Sequence, residues 1–154
     1  MSIPANVTGI GNGAFQFCTD LRKAVIFTAG TSFGNDVFKY TLLSNDGIYG
    51  FESSTAQTYA QAKGFPFHTL YTVSFSVGEG SPVSDLLAAA GVKITKPTDP
   101  TQAGYLFGGW YKDAACSDDW DFDNDRVNED TILYAKWTGA RLPPSRQHLS
   151  RGER

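Results

Sequence analysis

Apolar positions near the start of the chain recur at a fixed interval of 23 residues. Ile3, Ile10, Ala14 and Phe15 are matched by Ile26, Phe33, Val37 and Phe38, and Gly11-Asn12 by Gly34-Asn35. An interval of this size marks stacked repeats, because each unit cannot cover its own apolar side and shares one core with the next. Within the first copy, Gly9, Gly11 and Gly13 allow a tight backbone path. Leu21, Ala24 and Ile26 fall on the inner side of a predicted strand, and Cys18, between Phe15 and Leu21, is expected in the core as a small apolar side chain. Such a stack is a scaffold for binding, not a catalytic pocket.

A repeat array needs a lid at its end. Residues 47–67 can supply one, since Ser54 with Gln57 three positions later is a capping-box pattern, and Gly64 stops the helix between them. That helix is predicted to bury Ala56, Tyr59 and Ala60, with Phe65 and Phe67 in a closing strand. The pattern then changes to alternation. Tyr71, Val73, Phe75 and Val77 share one face of a strand that Gly78 and Gly80 end. Ser81 as cap and Pro82 as first residue predict a short helix through Leu86, Leu87 and Ala90 to Gly91. A stiff loop with Pro97, Pro100 and Gly104 leads to a strand over 105–112, and a last strand spans 131–138 with Leu133 and Trp137 on one side.

The stretch IPANVTGIGNGAFQFCTDLRKAVIF resembles the BspA-like type of leucine-rich repeat of bacterial surface proteins, and residues 47–67 resemble the C-terminal cap of such arrays. The second copy departs from that repeat at Phe27, Thr41 and Ser44, where its proline, cysteine and leucine would stand. Further on, Pro97-Thr98, Pro100-Thr101, Gly104-Tyr105-Leu106-Phe107-Gly108-Gly109-Trp110-Tyr111, Trp120-Asp121-Phe122 and Leu133-Tyr134-Ala135-Lys136-Trp137 resemble the Listeria-Bacteroides repeat, or internalin B-repeat. That resemblance implies a small β-grasp-like module with an apolar strand after its first turn, where the pattern here reads as helix.

The expected fold class is therefore α+β: a short leucine-rich-repeat solenoid end with a helical cap, then a small β-grasp-like domain. The expected boundaries are 1–68 for repeats and cap, 71–138 for the Listeria-Bacteroides repeat domain, and 139–154 for a disordered basic tail. Nothing before Ile3 covers the upstream face of the first repeat, so the chain is expected to be the C-terminal end of a longer solenoid.

Charge adds one asymmetry. The net charge is −3; half of the 16 acids lie between Asp113 and Asp130, while Arg141, Arg146, Arg151 and Arg154 crowd the last 14 positions. A generic nucleic-acid surface is not expected from this distribution. No run of 18 apolar residues exists, which argues against a transmembrane helix. The chain opens without a secretory leader, so the protein either stays inside the cell or has its leader outside this sequence. The two resemblances imply the cell surface or the extracellular space.

Candidate chemistry is sparse. His68 and His148 lack the context of a nucleophile elbow or a cysteine-protease motif, and no acid, base and nucleophile can be assembled. An enzyme is not expected, nor a cofactor. Asp121, Asp123 and Asp125 imitate the start of a calcium loop, but Arg126 takes the glycine position and Ile132 the bidentate glutamate position, which excludes an EF-hand; no metal site is expected. Cys18 and Cys116 are too few for a disulfide scaffold. What remains is binding. The resemblances imply adhesion to a host or neighbouring-cell surface protein through the strand face around Arg22, Lys23 and Val25. The alternatives are a structural spacer, or a glycan-binding module that stacks sugars on Tyr105, Tyr111 and Trp120.

Overall fold

The computed structural model describes residues 1–140. In chain order it contains β1 (Ser2–Ile3), β2 (Gly9–Ile10), β3 (Lys23–Ile26), β4 (Ser32–Phe33), α1 (Leu43–Asp46) and β5 (Gly47–Gly50). These are followed by α2 (Thr55–Lys63), β6 (Phe67–Ser76), β7 (Leu86–Ala89), β8 (Tyr105–Tyr111) and β9 (Thr131–Gly139). The fold is mixed, mostly strand, with two short helices among the described residues. It divides into two compact units. The first comprises Met1–Thr72, Leu87–Ile94 and Arg126–Asp130; the second comprises Val73–Leu86, Thr95–Asp125 and the segment that begins at Thr131. The expected tail falls almost wholly outside the described residues.

In the first unit the 23-residue interval reappears as strand register. Strand β1 runs parallel to β3 with Ser2 opposite Val25 and Ile3 opposite Ile26; β2 runs parallel to β4 with Gly9 opposite Ser32 and Ile10 opposite Phe33. Side chains follow the same interval. The Asn12 carboxamide oxygen accepts the Asn35 N–H at 2.7 Å, Phe15 stacks on Phe38 at 5.5 Å between ring centroids, and Phe17 stacks on Tyr40 at 4.7 Å. Even the unusual torsions are paired: Gly13 (φ 60°) with Asp36 (54°), and Phe17 (63°) with Tyr40 (63°). Non-glycine residues enter this left-handed region rarely, so the turn geometry is being copied from one segment to the other.

The core of this unit gathers Ile3, Ile10, Ala24, Ile26, Val37, Phe38, Leu43 and Ile48. Helix α2 covers it with Ala56 and Ala60, both fully buried, and Tyr59 stacks on Phe33 at 4.5 Å. Its ends are formed as the sequence implied. Ser54 accepts the Gln57 N–H at 3.2 Å, and Gly64 closes the helix in the left-handed conformation. The return bond of the capping box is displaced by one residue, since the Gln57 side chain accepts from the Ser53 N–H rather than that of Ser54.

Two expectations need correction. Cys18 is exposed, not part of the core. The left-handed Phe17 and the tight turn closed by the Cys18 N–H on the Phe15 carbonyl direct both side chains outward. The predicted helix over 82–91 is absent: Leu86–Ala89 is strand β7, which pairs with β6. Leucine and alanine favour helix, but tertiary pairing overrides propensity here. Ala90 N–H donates to the Thr69 carbonyl, and Val92 bridges Val127. Ser81 caps no helix; its hydroxyl accepts the Thr101 N–H at 2.8 Å.

In the second unit the later half of β6 runs parallel to β9, and β9 runs antiparallel to β8. The β8–β9 register shifts between Phe107 and Trp110, where Gly109 adopts φ 110°. A bulge of this kind re-aims the following side chain. Trp110, 2% exposed, meets Phe75 edge-on at 4.8 Å and Phe107 at 5.3 Å; Phe107 in turn meets Trp137. Val73 and Leu133 complete the buried set, and the Trp137 indole N–H donates to the Val77 carbonyl.

Candidate functional site

The most built surface lies on the first unit. Strands β1, β3, β5 and the start of β6 pair in parallel, and the pleat sends alternate residues to opposite sides. Ile3, Ala24, Ile26 and Ile48 go to the core. On the other side the register sets Ser2, Val25, Tyr49 and His68 in one lateral row. Arg22, Lys23 and His68 are exposed, and Val25 and Tyr49 half-buried. The Lys23 ammonium sits 4.1 Å from the centre of the Tyr49 ring, which stacks on the His68 imidazole at 4.4 Å. Lys23 shares this side of β3 with Val25, and Arg22 stands exposed one position before the strand. Sequence reasoning misses Tyr49 and His68 as parts of this face, because Tyr49 follows Val25 by 24 positions in the β3–β5 register, one more than the repeat interval.

The glycan alternative fares differently. Tyr105 is exposed at one end of β8, opposite Gly139. Tyr111 lies at the other end of that strand, half-buried, with the Lys136 ammonium 5.1 Å from its ring centre. Trp120 is only 9% exposed. Its backbone N–H donates to the Trp110 carbonyl, so it lines up beside β8 as core. These three residues form no shared stacking platform.

The acidic stretch is a hydrogen-bonded turn. Asp121 accepts the Asp123 N–H at 2.8 Å and the Asn124 side-chain amide at 2.7 Å, while Asp125 accepts the Asp121 N–H at 2.8 Å. Lys112 reaches Asp125 at 3.0 Å and Asp118 at 3.4 Å. Among the described residues no group of three or more His, Cys, Asp or Glu is placed to hold a metal ion. His68 packs on Tyr49, both cysteines are free thiols, and His148 lies outside the described residues.

The turn has a defined response to acid. Asp113 accepts the Asp118 N–H at 2.9 Å and the Ser117 hydroxyl at 2.7 Å, which hold its carboxyl below the usual range. Asp125 is lowered by its bond from the Asp121 N–H and by Lys112. Both groups bind protons less readily when folded than unfolded, so their contribution is complete above the unfolded carboxylate pKa and is lost as pH falls through the lowered native values. An NMR titration is expected to keep the Ser117 and Asp118 amide shifts constant from pH 7 to about pH 5 and to move them only in stronger acid. With Asp113→Asn that acid transition should disappear from both amides.

Residues 71–136 match the family model of the Listeria-Bacteroides repeat domain. The match spans β7, β8 and the greater part of β6 and β9. Among similar proteins, one from Evansella cellulosilytica named as a Gly-rich membrane protein is 47% identical over 68 residues, which is 44% of this chain and 8% of that protein. A second protein of the same organism, named as a membrane protein, is 48% identical over 68 residues, 44% of this chain and 10% of its own length. Internalin H of Listeria monocytogenes is 39% identical over 74 residues, 47% of this chain and 13% of internalin H. The chain thus spans between 8% and 13% of the curated relatives it matches. Strand β7 lies where the resemblance implied an apolar strand and the sequence pattern implied a helix.

Proposed function

We propose that this chain is a non-enzymatic module of a bacterial cell-surface or secreted protein, and that it binds another protein through the outer sheet face of its first unit. The observation that carries this reading is the row of Ser2, Val25, Tyr49 and His68, with Lys23 on the same side of the sheet and Arg22 exposed just before β3. Aromatic and arginine side chains are enriched at protein interfaces. The parallel pairing at a 23-residue interval supports reading the first unit as the end of a BspA-like stack of leucine-rich repeats with α2 in its cap. The repeat-domain match and the names of the relatives support a surface location and a β-grasp-like second domain, with adhesion to a host or neighbouring-cell protein as the role.

The test uses the full chain, fluorescently labelled, on cells with and without prior protease treatment of their surface. Protease-sensitive binding is expected, and the double variant Arg22→Glu, Lys23→Glu should lose it by at least about tenfold with its far-UV spectrum unchanged. Binding that survives both charge reversals would move the contact off this face. No protease-sensitive binding at all would favour the spacer.

A further inference from the structure

The outer face has a chemical polarity of its own. Ion pairs among the described residues join Lys39 to Asp36, Lys96 to Asp99, and Lys112 to Asp118 and Asp125. Arg22 and Lys23 are not among them. Asp20 and Asp46 stand just before β3 and β5, yet neither pairs with these two cations. Lys23 instead lies over the Tyr49 ring, and Tyr49 lies against His68, so three side chains from three adjacent strands form one stacked column.

A column of this kind is already ordered before anything binds. The side-chain entropy that a lysine ordinarily loses in a contact is partly spent in the free protein, and the ammonium remains exposed with donors to spare. Its neighbour Arg22 offers a planar fork suited to a carboxylate. Beside Lys23, the half-buried Val25 and Tyr49, paired across β3 and β5, supply the apolar centre that an interface needs, with the cation at its rim.

We infer that the partner of this face is an acidic protein surface, one that brings carboxylates to Arg22 and Lys23 and an apolar or aromatic group onto Tyr49 and Val25. This rests on the reading that the face binds protein, and it specifies the partner's chemistry. Charge complementarity of this sort acts mainly on specificity and association rate.

Two acetylated octapeptides serve as probes for NMR titration of the full chain: Glu-Glu-Tyr-Glu-Glu-Tyr-Glu-Glu and its counterpart with lysine in place of every glutamate. The acidic peptide is expected to shift the Lys23, Val25, Tyr49 and His68 amides saturably, and the basic one to leave them unmoved. Lys23→Gln, at an exposed position, should weaken the acidic peptide by at least about threefold. Tyr49→Ala should weaken it by about tenfold. Equal response to both peptides, or an acidic response untouched by both variants, would overturn the assignment. The acidic peptide is also expected to compete with the protease-sensitive cell binding. If that binding depends on Arg22 and Lys23 but the acidic peptide does not compete, the acidic partner is wrong and the binding face stands. If the binding itself ignores the charge reversals, the face is wrong.

Discussion

Replacing Gly47 with alanine is expected to destabilise the first unit by about 3 kcal/mol or more, because two penalties coincide there. Gly47 has φ 83°, which an L side chain rarely adopts, and an added Cβ would run into the Pro66 carbonyl oxygen with the Pro66 carbonyl carbon only 2.8 Å away. That oxygen accepts the Ile48 N–H at 2.8 Å, a bond that ties the start of β5 to the segment leading into β6. Relief of the clash therefore breaks the pairing that places Tyr49 beside His68. Gly64→Ala is the control: its φ is 74° but nothing lies within 4 Å of an added Cβ. Only torsional strain applies, about 1 kcal/mol. Urea denaturation followed by far-UV circular dichroism distinguishes the two, and equal losses would refute the steric argument.

Trp110→Ala is expected to have the largest effect in the second unit, about 3–5 kcal/mol by the same measurement. The ring is 2% exposed and meets both Phe75 and Phe107. Its truncation leaves a cavity between strands whose backbones are fixed by the β8–β9 ladder. Trp110→Phe should be much milder, since it keeps most of the aromatic volume and removes an indole N–H that is buried without a protein partner. A phenylalanine variant as unstable as the alanine one would show that the cavity is not the main term.

How far the sequence reveals these features depends on whether the determining contact is local. Helix α2 is legible because its stop signals are local: Ser54, Gln57 and Gly64 act within one turn of themselves. Strand β9 is legible because alternation over 131–137 places Leu133 and Trp137 on one side. Strand β7 is not, because Ser81, Pro82 and Gly91 punctuate a segment whose conformation is decided by Thr69 and Val127, far away in sequence. Cys18 misleads for another reason. A small apolar residue between two apolar ones reads as buried, and the left-handed torsion at Phe17 that turns the segment outward leaves no mark on the composition.

The face of the first unit is half legible. Arg22, Lys23 and Val25 are adjacent in sequence, whereas Tyr49 and His68 join them only through strand register. The β5–β6 pairing sets Tyr49 opposite His68, an offset of 19 that the repeat interval of 23 does not contain. In the sequence Trp120 counts as a glycan contact only under the alternative reading. In the fold Asp121 is held in a hydrogen-bonded turn, and the neighbouring indole is buried.

The twin torsions at Gly13 and Asp36, and at Phe17 and Tyr40, bear on how likeness between the two segments is measured. The residues differ, glycine against aspartate and phenylalanine against tyrosine, yet the dihedral angles agree. The likeness lies in the path of the main chain, so scoring permitted conformations would detect it better than matching letters. It also follows that Asp36→Gly would give that bend a residue that adopts the left-handed torsion without strain.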